Sequence, residues 1–176
     1  TFGPAILTGE SGSAIDRAKL AAAAFQAQPS RVDELNAIVH PAVIAQQEEW
    51  MQSVGASSPA AIGVVEAALI YEAGSASRFD KMIVVVAPVQ VKIERYAERV
   101  LTAAEAQNPV RPAERVRLLE AARADAERRI SAQMPDEEKA RRADFVIDNS
   151  RGFEHLKAQV DAVVSALKSA ASVASR

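Results

Sequence analysis

The sequence contains no cysteine, which excludes disulfides, thiolate metal sites and cysteine nucleophiles. Aromatic residues make up only 5%, so any core must be built mainly from aliphatic side chains and alanine. Neither sign of charge dominates: 21 Lys and Arg stand against 23 Asp and Glu, a formal net charge of -2. That balance removes the basis for nonspecific nucleic-acid binding. No apolar run approaches the roughly 20 residues needed to cross a bilayer, and no basic-then-apolar segment opens the chain. The expectation is a cytoplasmic protein without a membrane anchor. His40 and His155 lack metal-ligand spacing, and no G-x-S-x-G nucleophile motif occurs. What is present is a 176-residue chain that is 49% hydrophobic, enough for one sizeable core.

One stretch invites a nucleotide-binding reading. Leu7 to Asp16 reads LTGESGSAID, an apolar residue, Thr-Gly and a small-residue loop. A phosphate loop requires G-x-x-x-x-G-K-[ST], because glycines turn backbone N–H groups toward phosphate, Lys neutralises charge and the hydroxyl holds Mg2+. Counted from Gly9, the required Gly, Lys and Ser or Thr fall on Ala14, Ile15 and Asp16. Gly3 and Gly12 fail in the same way, leaving Thr8 where the second Gly belongs and Arg17 where it belongs in turn. The stretch therefore reads as a glycine turn and a helix cap.

Ser13-x-x-Asp16 before RAKLAAAAF has the form of a capping box opening an Ala-rich helix that ends near Pro29. Ser30-x-x-Asp33 repeats the device, and Pro41 is expected in the first turn of a further helix. Three short Val- and Ile-rich runs follow: Ala61 to Ala67, Met82 to Ala87 and Asp144 to Asp148. Continuous apolar runs of this length predict parallel strands buried beneath helices, hence an α/β fold. Glu66 near the end of the first run is poorly suited to burial alone, and such strand ends are where α/β sheets place ligands. Between the second and third runs, Gln90 to Arg142 is the most charged part. It predicts two long helices interrupted around Asn108 to Pro112, which composition alone describes as a solvated hairpin. A last helix is expected over Gly152 to Ser169, with a fraying Ala/Ser-rich end beyond it.

Taken in order, several segments resemble the dephospho-coenzyme A kinases: FGPAIL (Phe2 to Leu7), IDRAKLAAAAF (Ile15 to Phe25), LNAIVHP (Leu35 to Pro41), VVEAALIYEAG (Val64 to Gly74), VVVAP (Val84 to Pro88), ERYAER (Glu94 to Arg99), RISAQM (Arg129 to Met134), EEK (Glu137 to Lys139) and ADFVIDN (Ala143 to Asn149). The resemblance implies an α/β, P-loop kinase-like parallel sheet covered by helices, with a helical substrate-binding part and a helical lid. It implies ATP-dependent phosphorylation of the ribose 3′-hydroxyl of dephospho-coenzyme A, with Mg2+ accompanying ATP. On that reading residues 1–60 form the helical acceptor-binding part. Residues 61–99 and 143–176 form the core, and 100–142 the lid helices with an insertion near Leu101 to Ala122.

Carried over by position, Asp16, Arg17 and His40 fall on the acceptor side. Glu66 and Glu72 match strand-end acids. Arg95, Arg99, Arg129, Gln133 and Asn149 fall on the ATP and lid side, where Arg95 with Arg99 and Arg129 with Gln133 are i,i+4 pairs. Each also has a plain reading as a surface or capping residue.

The departures from the family are informative. Its opening strand, phosphate loop and acceptor-activating Asp are not found, Ala68 replaces a Pro, and 29 residues separate Arg99 from Arg129. The expectation is a segment of about 50–60 residues bearing the loop before Thr1, and inactivity of the 176 residues alone. Two alternatives stand beside this reading: a P-loop kinase for another small metabolite, and a non-catalytic homologue that binds coenzyme A or a protein partner.

Overall fold

The structure is a computed structural model that describes residues 1–8, 14–58 and 60–174. The Gly9 to Ser13 stretch compared above with a phosphate loop lies outside the described residues. The chain forms two compact units, Thr1–Val65 and Glu66–Arg176.

In the first unit, β1 (Leu7–Thr8) pairs antiparallel with β2 (Ala14–Ile15). The Asp16 N–H donates to the Ile6 carbonyl at 2.8 Å, which brings the chain to the start of α1 (Arg17–Phe25). Asp16 itself is the N-cap: Oδ1 accepts from the N–H groups of Ala18 and Lys19, each at 3.0 Å. The cap therefore sits three residues later than the expected box. Asp fills the role because its short carboxylate reaches two orphan donors of the first turn. The Lys19 N–H and, against burial, that of Ala18 hold its pKa below the ordinary value. Ala24 is fully buried, and its carbonyl accepts from the Arg31 N–H at 2.9 Å.

A single helix, α2 (Val32–Ser57), replaces the expected break at Pro41. Pro41 lies inside it, where it cannot donate to the Ala37 carbonyl. Asp33 and Glu34 in the first turn face the positive end of the helix dipole. Arg31 adds a bidentate grip on Glu34 at 2.9 and 3.1 Å. No residue of α2 is buried. The run from Ala61 to Ala67 is not a strand. No other described segment pairs with it, and without a ladder its backbone groups have no sheet to join. Gly63 lies beside the Trp50 ring, where an added Cβ would stand 3.5 Å from it.

The second unit carries the parallel sheet. Its strands β3 (Ile83–Val86) and β4 (Phe145–Asp148) pair in register from Ile83 with Phe145 to Val86 with Asp148. These are two of the three expected strands, and the α/β class holds. Among the described residues this sheet has two strands. The connection between them contains α3 (Val89–Glu105), α4 (Pro112–Ser131) and α5 (Asp136–Arg142). Helix α6 (Phe153–Ala174) follows and runs beyond the expected end at Ser169.

The core follows from periodicity. Ile93, Ala97 and Leu101 are buried at i, i+4 and i+8 on α3, one stripe of a 3.6-residue helix. Ala122 and Ala126 are the buried residues of α4, and their small side chains let the two helices lie close. Glu94 accepts from Arg123 Nε and Nη2 at 3.0 and 2.8 Å, and Glu105 from Arg115 at 2.5 Å. These pairs run antiparallel, which makes α3 and α4 the expected hairpin; Leu101 to Ala122 forms its outer end. Val84, Ile147 and Val163 complete the buried set on β3, β4 and α6. Gln159 closes the end of β4: its Oε1 accepts from the Asp148 N–H and its Nε2 donates to the Asp148 carbonyl, both at 2.9 Å. Among the described residues no helix is long and apolar enough to cross a membrane.

Candidate active site at the strand ends and the α3–α4 hairpin

Parallel strands end with their carbonyl termini on one side, and in open α/β sheets that side is where ligands bind. Here a cleft of about 360 Å³ opens at the ends of β3 and β4, lined by Val86, Ala87, Pro88, Asp148 and Ser150 and by Asp136, Glu137 and Ala140 of α5. The Asn149 N–H donates to the Val86 carbonyl at 2.8 Å, continuing the ladder past β4. Its own carbonyl accepts from Arg95 Nη1 at 2.8 Å. Arg95 on α3 and Asn149 after β4 are 54 positions apart, and the fold joins them beside the cleft. Asp148 turns its Oδ1 to the Ser150 N–H at 2.9 Å. The hydrogen bonds from Ser150 hold its carboxyl below the usual range. Lys92 pairs with Asp136, which ties the first turns of α3 and α5 together.

A second cluster lies further along the hairpin. The guanidinium carbons of Arg99 and Arg129 stand 5.5 and 5.6 Å from the centre of the Tyr96 ring, within cation–π range. The Tyr96 hydroxyl donates to Asp125 Oδ2 at 2.6 Å, and Arg129 Nε donates to the same oxygen at 2.6 Å. Arg128 Nη2 reaches the other oxygen, Oδ1, at 2.8 Å. The Tyr96 hydrogen bond, opposed by burial and helped by Arg129, holds the Asp125 carboxyl below its ordinary value. The same bond, together with burial, raises the Tyr96 hydroxyl. Two arginines, Arg128 and Arg129, thus share the Asp125 carboxylate, while Arg99 meets only the Tyr96 ring.

The structure separates other pairs that spacing grouped. Arg95 and Arg99 share α3, yet one grips Asn149 and the other faces Tyr96. Gln133 is not an i,i+4 partner of Arg129, because α4 ends at Ser131 and the Gln133 N–H closes on the Ile130 carbonyl at 3.2 Å. Neither Glu66 nor Glu72 ends a strand. Glu66 is exposed in the unpaired run. Glu72 lies in a series of turns over 68–74, where it pairs with Lys139 at 2.8 Å and accepts from the Met134 N–H at 2.9 Å. Burial pushes its pKa up, but Lys139 and the Met134 N–H outweigh that and leave it below the ordinary value. Lys139 also donates to the Ala68 carbonyl at 3.2 Å. In the first unit, Asp16 caps α1, Arg17 is its exposed first residue and His40 is half-buried in α2.

Tyr96, Asp125 and Lys139 were not distinguished by sequence reasoning. Asp125 and Arg129 do stand at i,i+4 and Tyr96 and Arg99 at i,i+3, spacings that place partners on one helix face. What that spacing lacks is the hairpin that joins the two pairs.

Comparison with known proteins extends the geometry. A family model described as dephospho-CoA kinase matches residues 1–112. A dephospho-CoA kinase of Mesorhizobium japonicum is 32% identical over 157 residues, covering 88% of this chain and 68% of the relative. One of Aquifex aeolicus is 34% identical over 167 residues, covering 95% and 72%. A crystal structure from Thermus thermophilus aligns with a TM-score of 0.56 at 29% identity, covering 89% of this chain and 69% of that one.

Proposed function

The chain belongs to the dephospho-CoA kinase family, and from that premise we propose that the α3–α4 hairpin and the strand-end cleft form its ATP side. The family reaction moves the γ-phosphoryl group of ATP to the ribose 3′-hydroxyl of dephospho-coenzyme A, the last step of coenzyme A biosynthesis. The acceptor oxygen forms a bond to the γ-phosphorus while the bond to the bridging oxygen breaks, leaving ADP. Little covalent chemistry falls to the protein, so positioning and charge stabilisation dominate.

The observation that carries the assignment is the convergence of Arg99 and Arg129, from two helices, on the Tyr96 ring. Guanidinium groups suit phosphate oxygens because their planar fork donates in pairs. Arg129 is 63% exposed despite its bond to Asp125, so a ligand has access to it. Arg95 and Asn149 hold the loop beside the cleft, where the adenine end of the nucleotide is assigned. Arg17 and His40 are assigned to the acceptor side, with Asp16 fixing the first turn that presents Arg17. Glu72 is assigned a bracing role through Lys139, and Gln133 the link from α4 to that brace. The hairpin serves as the lid, and a cytoplasmic setting supplies ATP.

Mg2+ is assigned to the ATP phosphates as part of the substrate. Among the described residues no group of three His, Asp or Glu side chains is arranged to hold a metal.

The test is ADP release by the protein as its gene encodes it, with dephospho-coenzyme A against a panel of nucleosides and shikimate-like acceptors. Turnover that depends on dephospho-coenzyme A and yields the 3′-phosphate supports the reading. ATP binding with no turnover on any acceptor contradicts it.

A further inference from the structure

Of the arginines assigned to phosphate, Arg129 is held by Asp125 and the Tyr96 ring and Arg99 by that ring. Two guanidinium groups on one ring repel each other, and the arrangement requires something to offset that repulsion. Asp125 supplies a full negative charge and Tyr96 an electron-rich face. Their geometry is also specific. Arg129 is bound through Nε, the inner nitrogen, whereas a bidentate phosphate contact is commonly made by outer N–H groups of the fork. Tyr96 uses its hydroxyl to fix the same Asp125 oxygen and its ring to meet both arginines. Asp125, 28% exposed, thereby locks a residue of α3 to two of α4.

We propose that Asp125 and Tyr96 are positioning residues for phosphoryl transfer: together they set Arg99 and Arg129 as a preformed pair aimed at the nucleotide's polyphosphate. The inference rests on the reading that these arginines meet ATP. A preformed pair spares the ordering of two long side chains when ATP arrives. It also fixes their placement in the transition state, where small displacements are costly.

The test is a double-mutant cycle of Asp125→Asn and Arg129→Ala in the encoded protein, with kcat, KM for each substrate and the melting temperature measured. Asp125→Asn is expected to lower kcat/KM for ATP by about tenfold to a hundredfold, to leave KM for dephospho-coenzyme A unchanged, and to have little further effect once Arg129 is Ala. A simple structural role would instead lower the melting temperature and act equally in both backgrounds. Tyr96→Phe keeps the ring and removes the hydroxyl, so it carries the test if Asp125→Asn does not fold. It is expected to cause a severalfold loss that also vanishes when Arg129 is Ala. If Arg129→Ala lowers kcat/KM while both Asp125→Asn and Tyr96→Phe are neutral, the positioning role is overturned and the ATP assignment stands. If Arg129→Ala itself changes nothing, the ATP assignment falls and the inference with it.

Discussion

Helices α2 and α3 are both long, and they are stabilised in different ways. Helix α3 buries Ile93, Ala97 and Leu101 in one stripe. Helix α2 buries nothing and leaves Ile38, Val43 and Trp50 between 40 and 50% exposed. The first is specified by packing against α4. The second draws on local terms: acids in its first turn and the Arg31–Glu34 pair. It also carries a proline that a packed helix of this length would rarely keep. The lesson is that helical length says little about where the free energy comes from.

The comparison is broken most strongly from the α3 side. Leu101→Ala removes a side chain only 4% exposed, and should destabilise the second unit by about 2–5 kcal/mol in urea unfolding. Ile38→Ala on α2, 50% exposed in the parent, should change stability by less than about 0.5 kcal/mol. Equal losses would mean that α2 also depends on packing. Next in size is Pro41→Ala, which restores an N–H for the Ala37 carbonyl. A gain of about 1–2 kcal/mol is expected, below the full proline penalty because the unfolded chain regains freedom as well. A loss on thermal unfolding would show that the proline bend is needed.

The smallest effect concerns pH. Glu72 has a folded pKa below its ordinary 4.5, so its contribution to stability is complete above that value and disappears as pH falls through the lowered one. The stability difference between the parent and Glu72→Gln should be present at neutral pH and shrink in acid. A difference that grows on acidification would contradict the Lys139 pairing.

The strands show how far sequence reasoning reaches. Ile83–Val86 and Phe145–Asp148 were legible because continuous Val and Ile suit a strand covered by helices. Ala61 to Ala67 is also Val- and Ile-rich but pairs with no other described segment, because a strand is a property of two segments and composition reports one. Pro41 misled for a related reason: local preference marks a break, yet α2 runs through it from Val32 to Ser57. At the candidate site, Arg95, Arg99, Arg129 and Asn149 were visible, whereas Arg128, which reaches Asp125, was not. Their partners were not, because Arg95 meets Asn149 through the sheet crossover and Arg99 meets Arg129 through the hairpin. Local spacing even pointed the wrong way for Gln133, since it assumed that α4 continues past Ser131.

The central claim is that Arg99 and Arg129 meet the phosphates of ATP in a dephospho-coenzyme A kinase. Its most direct test is the steady-state kinetics of Arg129→Ala in the encoded protein with dephospho-coenzyme A saturating. A fall in kcat/KM for ATP of about a hundredfold or more is expected, the scale of losing one charge-stabilising donor, at an unchanged melting temperature. Parental kcat/KM in that variant would contradict it.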